Sequence, residues 1–141
     1  MSEIIERPMP TPDAATGPYW AAAHEGRFVM PRCNDCGKYH FYPHPLCPHC
    51  SSAKLEWIEV SGRGKLYSYT VVHRAPSKAF ADEVPYVVAV VELEEGPRML
   101  SNLINIKPDP ALIHCDMPVN AVYVKQNDNF TLPFFQPAKA N

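Results

Sequence analysis

The sequence predicts a mainly β protein: a short helix in front, a metal-held ribbon after it, and a small five-stranded barrel or sandwich behind. Three observations carry this. Sixteen prolines in 141 residues, about twice the usual ~5%, exclude long uninterrupted helices. Two Cys-x2-Cys pairs stand close together near the front. Beyond Cys50 the chain becomes a series of β-branched and aromatic runs parted by Gly, Pro and charged turns. With 46% hydrophobic residues the length suits one ordinary core or two very small ones, and it is too short for a TIM barrel.

In chain order, residues 1–15 read as a flexible proline-rich arm, since Pro8, Pro10 and Pro12 punctuate a stretch without periodicity. Residues 16–30 form a helix and lead-in. Thr16 is placed as N-cap, Pro18 suits the first turn, and Gly26 ends the run. Two turns are unstable alone in water, so Tyr19 and Trp20 must pack on something. Residues 31–54 form the metal ribbon, and 55–141 the β domain with a core of its own. Its expected strands are Leu55 to Val60, Lys65 to His73, Pro85 to Leu93, Arg98 to Ile104 and Pro118 to Lys125. Within the second, Tyr67, Tyr69, Val71 and His73 are expected on one face and Leu66, Ser68, Thr70 and Val72 on the other. The third, from Tyr86 to Val91, is apolar on both faces, as in a strand covered on two sides. Gly62 and Gly64 mark a bulge or sharp bend, and Glu94 to Pro97 a hairpin turn.

Thirteen Lys and Arg against fifteen Asp and Glu give a charge of -2, which argues against nucleic acid as the main partner. The first ten residues lack an apolar run of signal-peptide length, and no stretch approaches the ~20 apolar residues that span a bilayer. A cytoplasmic chain is expected. In a reducing compartment, paired cysteines read as metal ligands before they read as disulfides.

Cys33, Cys36, Cys47 and Cys50 are the strongest signal. Each Cys-x2-Cys turn points two thiolates at one ion, and two turns complete a tetrahedron. Zinc is the expected metal, with iron in a rubredoxin-like site as competitor. Four sulfurs leave no open position, so the ion is structural. His40, His44 and His49 lie nearby, but the cysteines already satisfy it.

These residues carry a resemblance. Arg32-Cys33 with Cys36-Gly37, Cys47-Pro48 with Cys50, the run from Gly62 to Pro76, Pro85-Tyr86 and Leu93 to Arg98 resemble the zinc-ribbon plus OB-fold proteins associated with thiolase-like enzymes. The resemblance implies a rubredoxin-like ribbon and a five-stranded OB barrel whose groove holds acyl-coenzyme A. It also implies a non-catalytic accessory subunit in a hetero-oligomer, whose partner performs condensation, acyl transfer or retro-aldol cleavage. Tyr19, Trp20, Arg32, Tyr69, His73 and Arg74 are the residues expected to line an acyl-CoA path, the arginines meeting phosphate and the aromatics the pantetheine. The chain departs from the family pattern at His44 and Ser51, where Arg and Gly are common, and at Cys115.

No nucleophile and base pair assembles from the sequence. Cys115 lies between His114 and Asp116, but sequence neighbours point apart and triads are built from distant segments. Aromatics outside the central runs (Tyr19, Trp20, Phe28, Tyr39, Phe41, Tyr42, Phe134 and Phe135) exceed what a barrel core should absorb and so suggest an interface. Two rivals remain: Tyr67, Tyr69, Tyr86 and Tyr123 as a stacking platform for single-stranded nucleic acid, or a bare assembly scaffold.

Overall fold

The computed structural model describes residues 8–138; the expected arm, residues 1–15, falls partly outside them, and its described part, residues 8–15, holds no helix or strand and ends in a turn at 14–15. Helix α1 spans Gly17–His24. Its entry is built by Asp13, whose Oδ1 accepts the Thr16 N–H at 2.9 Å and the Ala15 N–H at 2.9 Å. Thr16 is the N-cap, but its hydroxyl binds back to Asp13 and not into the helix. Gly26 ends the helix as expected: at φ 78° it lets the Arg27 N–H reach Ala22 O and its own N–H reach Ala23 O, a Schellman closure. Tyr19 is 3% exposed and meets Trp20, Phe28, Phe41 and Tyr42 edge-on. Burial of that ring, worth roughly 1.5–3 kcal/mol, holds a helix too short to stand alone.

Strands β1 (Val29–Cys33) and β2 (Leu55–Glu59) pair antiparallel and form the base of the ribbon. The barrel follows: β3 (Arg63–Val72), β4 (Tyr86–Leu93), β5 (Arg98–Leu103), β6 (Pro118–Lys125) and β7 (Thr131–Pro137), closed in the order β3-β4-β5-β7-β6. The protein is thus mainly β with a five-stranded closed barrel, but its strands are not the five expected. The run from Leu55 belongs to the ribbon sheet, and the fifth barrel strand is β7, whose Pro133 and Pro137 hide it from a propensity reading. Proline is tolerated there because β7 makes a full ladder only with β6; to β5 it is joined at one register pair, Leu103 with Phe135.

The bulge falls between Leu66 and Ser68, not at the glycines. Tyr67 is the extra residue: it swings outside, 45% exposed, under the Arg98 guanidinium at 3.8 Å from its ring centre. Leu66, Tyr69 and Val71 therefore all point inward, which corrects the simple alternation. In β4 only Val87, Ala89, Val91 and Leu93 are buried. Its outer face is apolar yet half-exposed. The expectation of separate cores also fails, because one cluster runs from Tyr19, Phe28 and Met30 into Leu66, Val91 and Phe135. Phe28 and Phe135 rings are 6.5 Å apart, and His24 Nδ1 bonds Thr131 Oγ1 at 2.9 Å. Most of the supposed aromatic surplus is absorbed in this way: of the eight rings, Tyr42 at 43% is the one markedly exposed.

Candidate metal centre and binding surfaces

The two cysteine turns have matching backbone. In the first, the Gly37 N–H bonds Cys33 O and the Cys33 N–H bonds Lys38 O; in the second, Ser51 bonds Cys47 O and Cys47 bonds Ser52 O, all at 2.8–2.9 Å. The residue after each second cysteine is left-handed, Gly37 at φ 74° and Ser51 at φ 64°. Glycine suits this position, and the serine adopts it at a cost. The four sulfurs lie within 4.8 Å of one another, with Cys33 to Cys50 at 3.5 Å and Cys36 to Cys47 at 3.7 Å. A tetrahedron with metal–sulfur bonds of ~2.3 Å has edges of about 3.8 Å, so the set fits one four-coordinate ion. Backbone N–H groups of Cys36 and His49 point at the sulfurs of Cys33 and Cys47. The Cys36 amide is the main reason the Cys33 thiol is held down to about 6. The Ser52 amide pulls Cys50 the same way, but hydrogen bonding with the Cys33 sulfur, burial and the remaining sulfurs outweigh it and push Cys50 up to about 12. A cation at the centre removes that conflict by favouring all four thiolates.

His40 is 3% exposed; its Nε2 accepts the His44 N–H at 3.3 Å, and its Nδ1 has no partner among the described residues. Burial, and then the neighbouring His44, lower its pKa.

The six residues expected on an acyl-CoA path differ in their surroundings, with Tyr19, Trp20 and Tyr69 in or against the core and Arg32, His73 and Arg74 exposed. Tyr19 is core, and burial raises its phenol pKa. Trp20 packs against Phe130, and its buried Nε1 has no partner among the described residues. Arg32 is exposed and clasps the first cysteine turn, Nε donating to Gly37 O at 3.3 Å. Tyr69 donates to Ile113 O at 3.4 Å inside the barrel. His73 and Arg74 are exposed on the loop after β3. The four tyrosines of the nucleic-acid reading do not form one platform, since Tyr69 and Tyr123 turn to the core, Tyr67 lies under Arg98 and Tyr86 faces Phe80.

None of those six residues lines either of two clefts that the fold forms among the described residues. One, of about 580 Å³, separates the ribbon from the β4–β5 hairpin and carries Lys38, Tyr39, His40, His49 and Arg98. The other, of about 520 Å³, lies across the outside of β4, β5 and β7. The sequence reading missed both. The second had a signal in the two-faced apolar pattern of β4.

Comparison with known proteins adds the context. Residues 20–56 match the family described as the ChsH2 rubredoxin-like zinc ribbon domain, and residues 57–124 the ChsH2 C-terminal OB-fold domain. A probable enoyl-CoA hydratase alpha subunit of Thermomonospora curvata is 42% identical over 94% of this chain, which spans 40% of that protein. A DUF35 domain-containing scaffold protein of Methanocaldococcus jannaschii is 42% identical over 65% of this chain and 64% of its own length. Benzoylsuccinyl-CoA thiolase subunit BbsA of Thauera aromatica is 30% identical over 70% of this chain and 64% of its own. Among solved structures, a chain of an Ltp2-ChsH2(DUF35) aldolase superposes with TM-score 0.80 at 40% identity, covering 92% of this chain and 98% of that one.

Proposed function

The chain belongs to the ChsH2 family of zinc ribbon plus OB-fold proteins, and from that premise we propose that it is a non-catalytic accessory subunit of a thiolase-superfamily enzyme, holding acyl-CoA for its partner. The observation that carries this is the breadth of chemistry beside one module. Relatives are named as parts of a hydratase, a thiolase and an aldolase. A module that accompanies three different reactions supplies what they share, and the coenzyme A thioester in the names of two of them is the common feature. The partner's reaction is condensation, acyl transfer or retro-aldol cleavage.

Cys33, Cys36, Cys47 and Cys50 would hold zinc, which supplies folding free energy to the ribbon and no open coordination site for chemistry. Iron in the same sulfur set is distinguished by its colour. What supports a non-catalytic role is that no side-chain hydrogen bond joins His114, Cys115 and Asp116 among the described residues, all three being exposed. Arg74 and Lys78, on the loop after β3, have no ionic partner among the described residues and are the cations offered to the phosphates.

Copurification from the native source tests this reading. The expected result is a stable complex with a thiolase-like chain, with thioester turnover by the complex and none by this chain alone. Arg74→Ala should weaken acyl-CoA use without releasing the partner. A chain that elutes alone at every concentration, or that turns over thioesters by itself and loses this in Cys115→Ala, would overturn the proposal.

A further inference from the structure

The outer face of the barrel is apolar where a lone barrel should be polar. Along β4, Tyr86, Val88 and Val90 alternate outward and are half-buried, and on β5 Leu100 is 69% exposed. Phe134 of β7 completes the floor of the 520 Å³ cleft. Strands that are apolar on both faces belong in sheets covered on both sides, yet no described element covers these side chains. The surface is concave because two segments raise walls around it. One is the loop between β3 and β4, which contributes Phe80 and Glu83; the other follows β5 and contributes Ile104, Ile106 and Pro108. Polar groups on the floor are few and tied to backbone: Ser101 Oγ donates to Pro133 O at 3.0 Å and Asn102 Nδ2 to Val87 O at 3.0 Å. A cavity of 300–1,000 Å³, mostly apolar with a few placed polar groups, is the form of a small-molecule site and not of a flat protein interface.

Its position points the same way. The second and third strands of an OB barrel, with the loop joining the first two, form the face on which such folds bind ligands. Here those strands are β4 and β5, and the loop is 73–85. That loop also places charge: Lys78 and Phe80 share the 3-10 turn Lys78–Phe80, so a cation stands two residues from an apolar wall. Arg74 precedes it, while Asp82 and Glu83 lie at the loop's far end.

We infer that this outer cleft binds the acyl group of the thioester and makes the subunit selective for long or bulky apolar acyl groups, with Leu100, Val88 and Phe134 as the specificity-determining residues. The inference rests on the acyl-CoA reading above and deepens it.

Isothermal titration of the full-length, zinc-loaded chain with acetyl-CoA and decanoyl-CoA tests it. A fully buried methylene gives about a fourfold gain in affinity, and an open cleft that covers half of it about twofold. Eight added methylenes therefore predict binding about 200-fold tighter for decanoyl-CoA. Leu100→Lys, at a site 69% exposed and so without risk to the fold, should flatten that gradient to tenfold or less, roughly. Leu112→Lys, 47% exposed and outside the cleft, should not change it. Equal affinity for the two thioesters would overturn the inference while leaving the accessory-subunit reading intact. A gradient that survives Leu100→Lys overturns it as well. So does release of the enzyme partner by Leu100→Lys with the gradient unchanged, which would make the face a protein interface. Absence of binding to either thioester rejects the cleft as a site, and the copurification experiment then decides the broader reading on its own.

Discussion

Of the six glycines, Gly64 is the one where an added Cβ would come nearest to neighbouring atoms. It pairs with Leu93 of β4 and Val119 of β6, so neighbours stand on both sides. A Cβ added there would lie 2.5 Å from Glu92 O and 3.0 Å from Val91 Cγ1. Carbon and carbonyl oxygen meet at about 3.3–3.6 Å, so Gly64→Ala must push β3 and β4 apart by nearly 1 Å. Overpacking of this kind costs about 1–3 kcal/mol, and one weakened ladder hydrogen bond adds about 1 kcal/mol. The sum, about 2–4 kcal/mol, lowers Tm by roughly 6–12 °C at ~3 °C per kcal/mol for a chain of this size. The control is the same change at Gly17, in the first turn of α1, where a Cβ meets nothing within 4 Å and φ is not positive. Gly17→Ala should therefore gain about 0.5–1 kcal/mol. Thermal unfolding followed by far-UV circular dichroism on both variants gives the comparison. If Gly64→Ala melts with the wild type, steric closure at this position is not what fixes the seam.

Further outcomes follow from other sites. Ser51→Gly relieves a left-handed serine and should slow loss of the metal to a chelator, with about 0.5–1 kcal/mol of added stability; unchanged release would mean the serine is not strained. Cys47→Ser should reduce bound metal to less than about half an equivalent and, because one core joins ribbon and barrel, lower the barrel's melting temperature too. A barrel that melts unchanged would show the modules to be independent after all. His40 has its native pKa below the ordinary 6.5, so its neutral form contributes stability that is complete above that value and lost as pH falls through the lowered one. The wild type should therefore lose more Tm than His40→Phe between pH 7.5 and 5.5 (approximate limits set by that window), measured with zinc in excess; parallel losses would remove His40 as the cause.

The sequence by itself determined the order of parts and the metal centre. Paired cysteines two residues apart form local turns, and local geometry needs no tertiary information. The helix Gly17–His24 with its closing Gly26, and the bounds of β6, were legible for the same reason, since caps and alternation are written within a few residues. The tertiary structure alone decided which strands close the barrel. Leu55–Glu59 and Thr131–Pro137 are ambiguous as isolated segments, and pairing with β1 and β6 respectively gives each its role. It also decided the facing of Tyr67, because one extra residue in a ladder inverts every expectation on one side of it. Arg32, Tyr69 and Arg74 are grouped in the sequence by matching chemistry alone, and proximity depends on long-range closure that spacing does not encode. The outer cleft stands between these cases: the apolar run of β4 is legible in the sequence, and only the folded barrel sets Leu100 and Phe134 beside Val88 in one cleft.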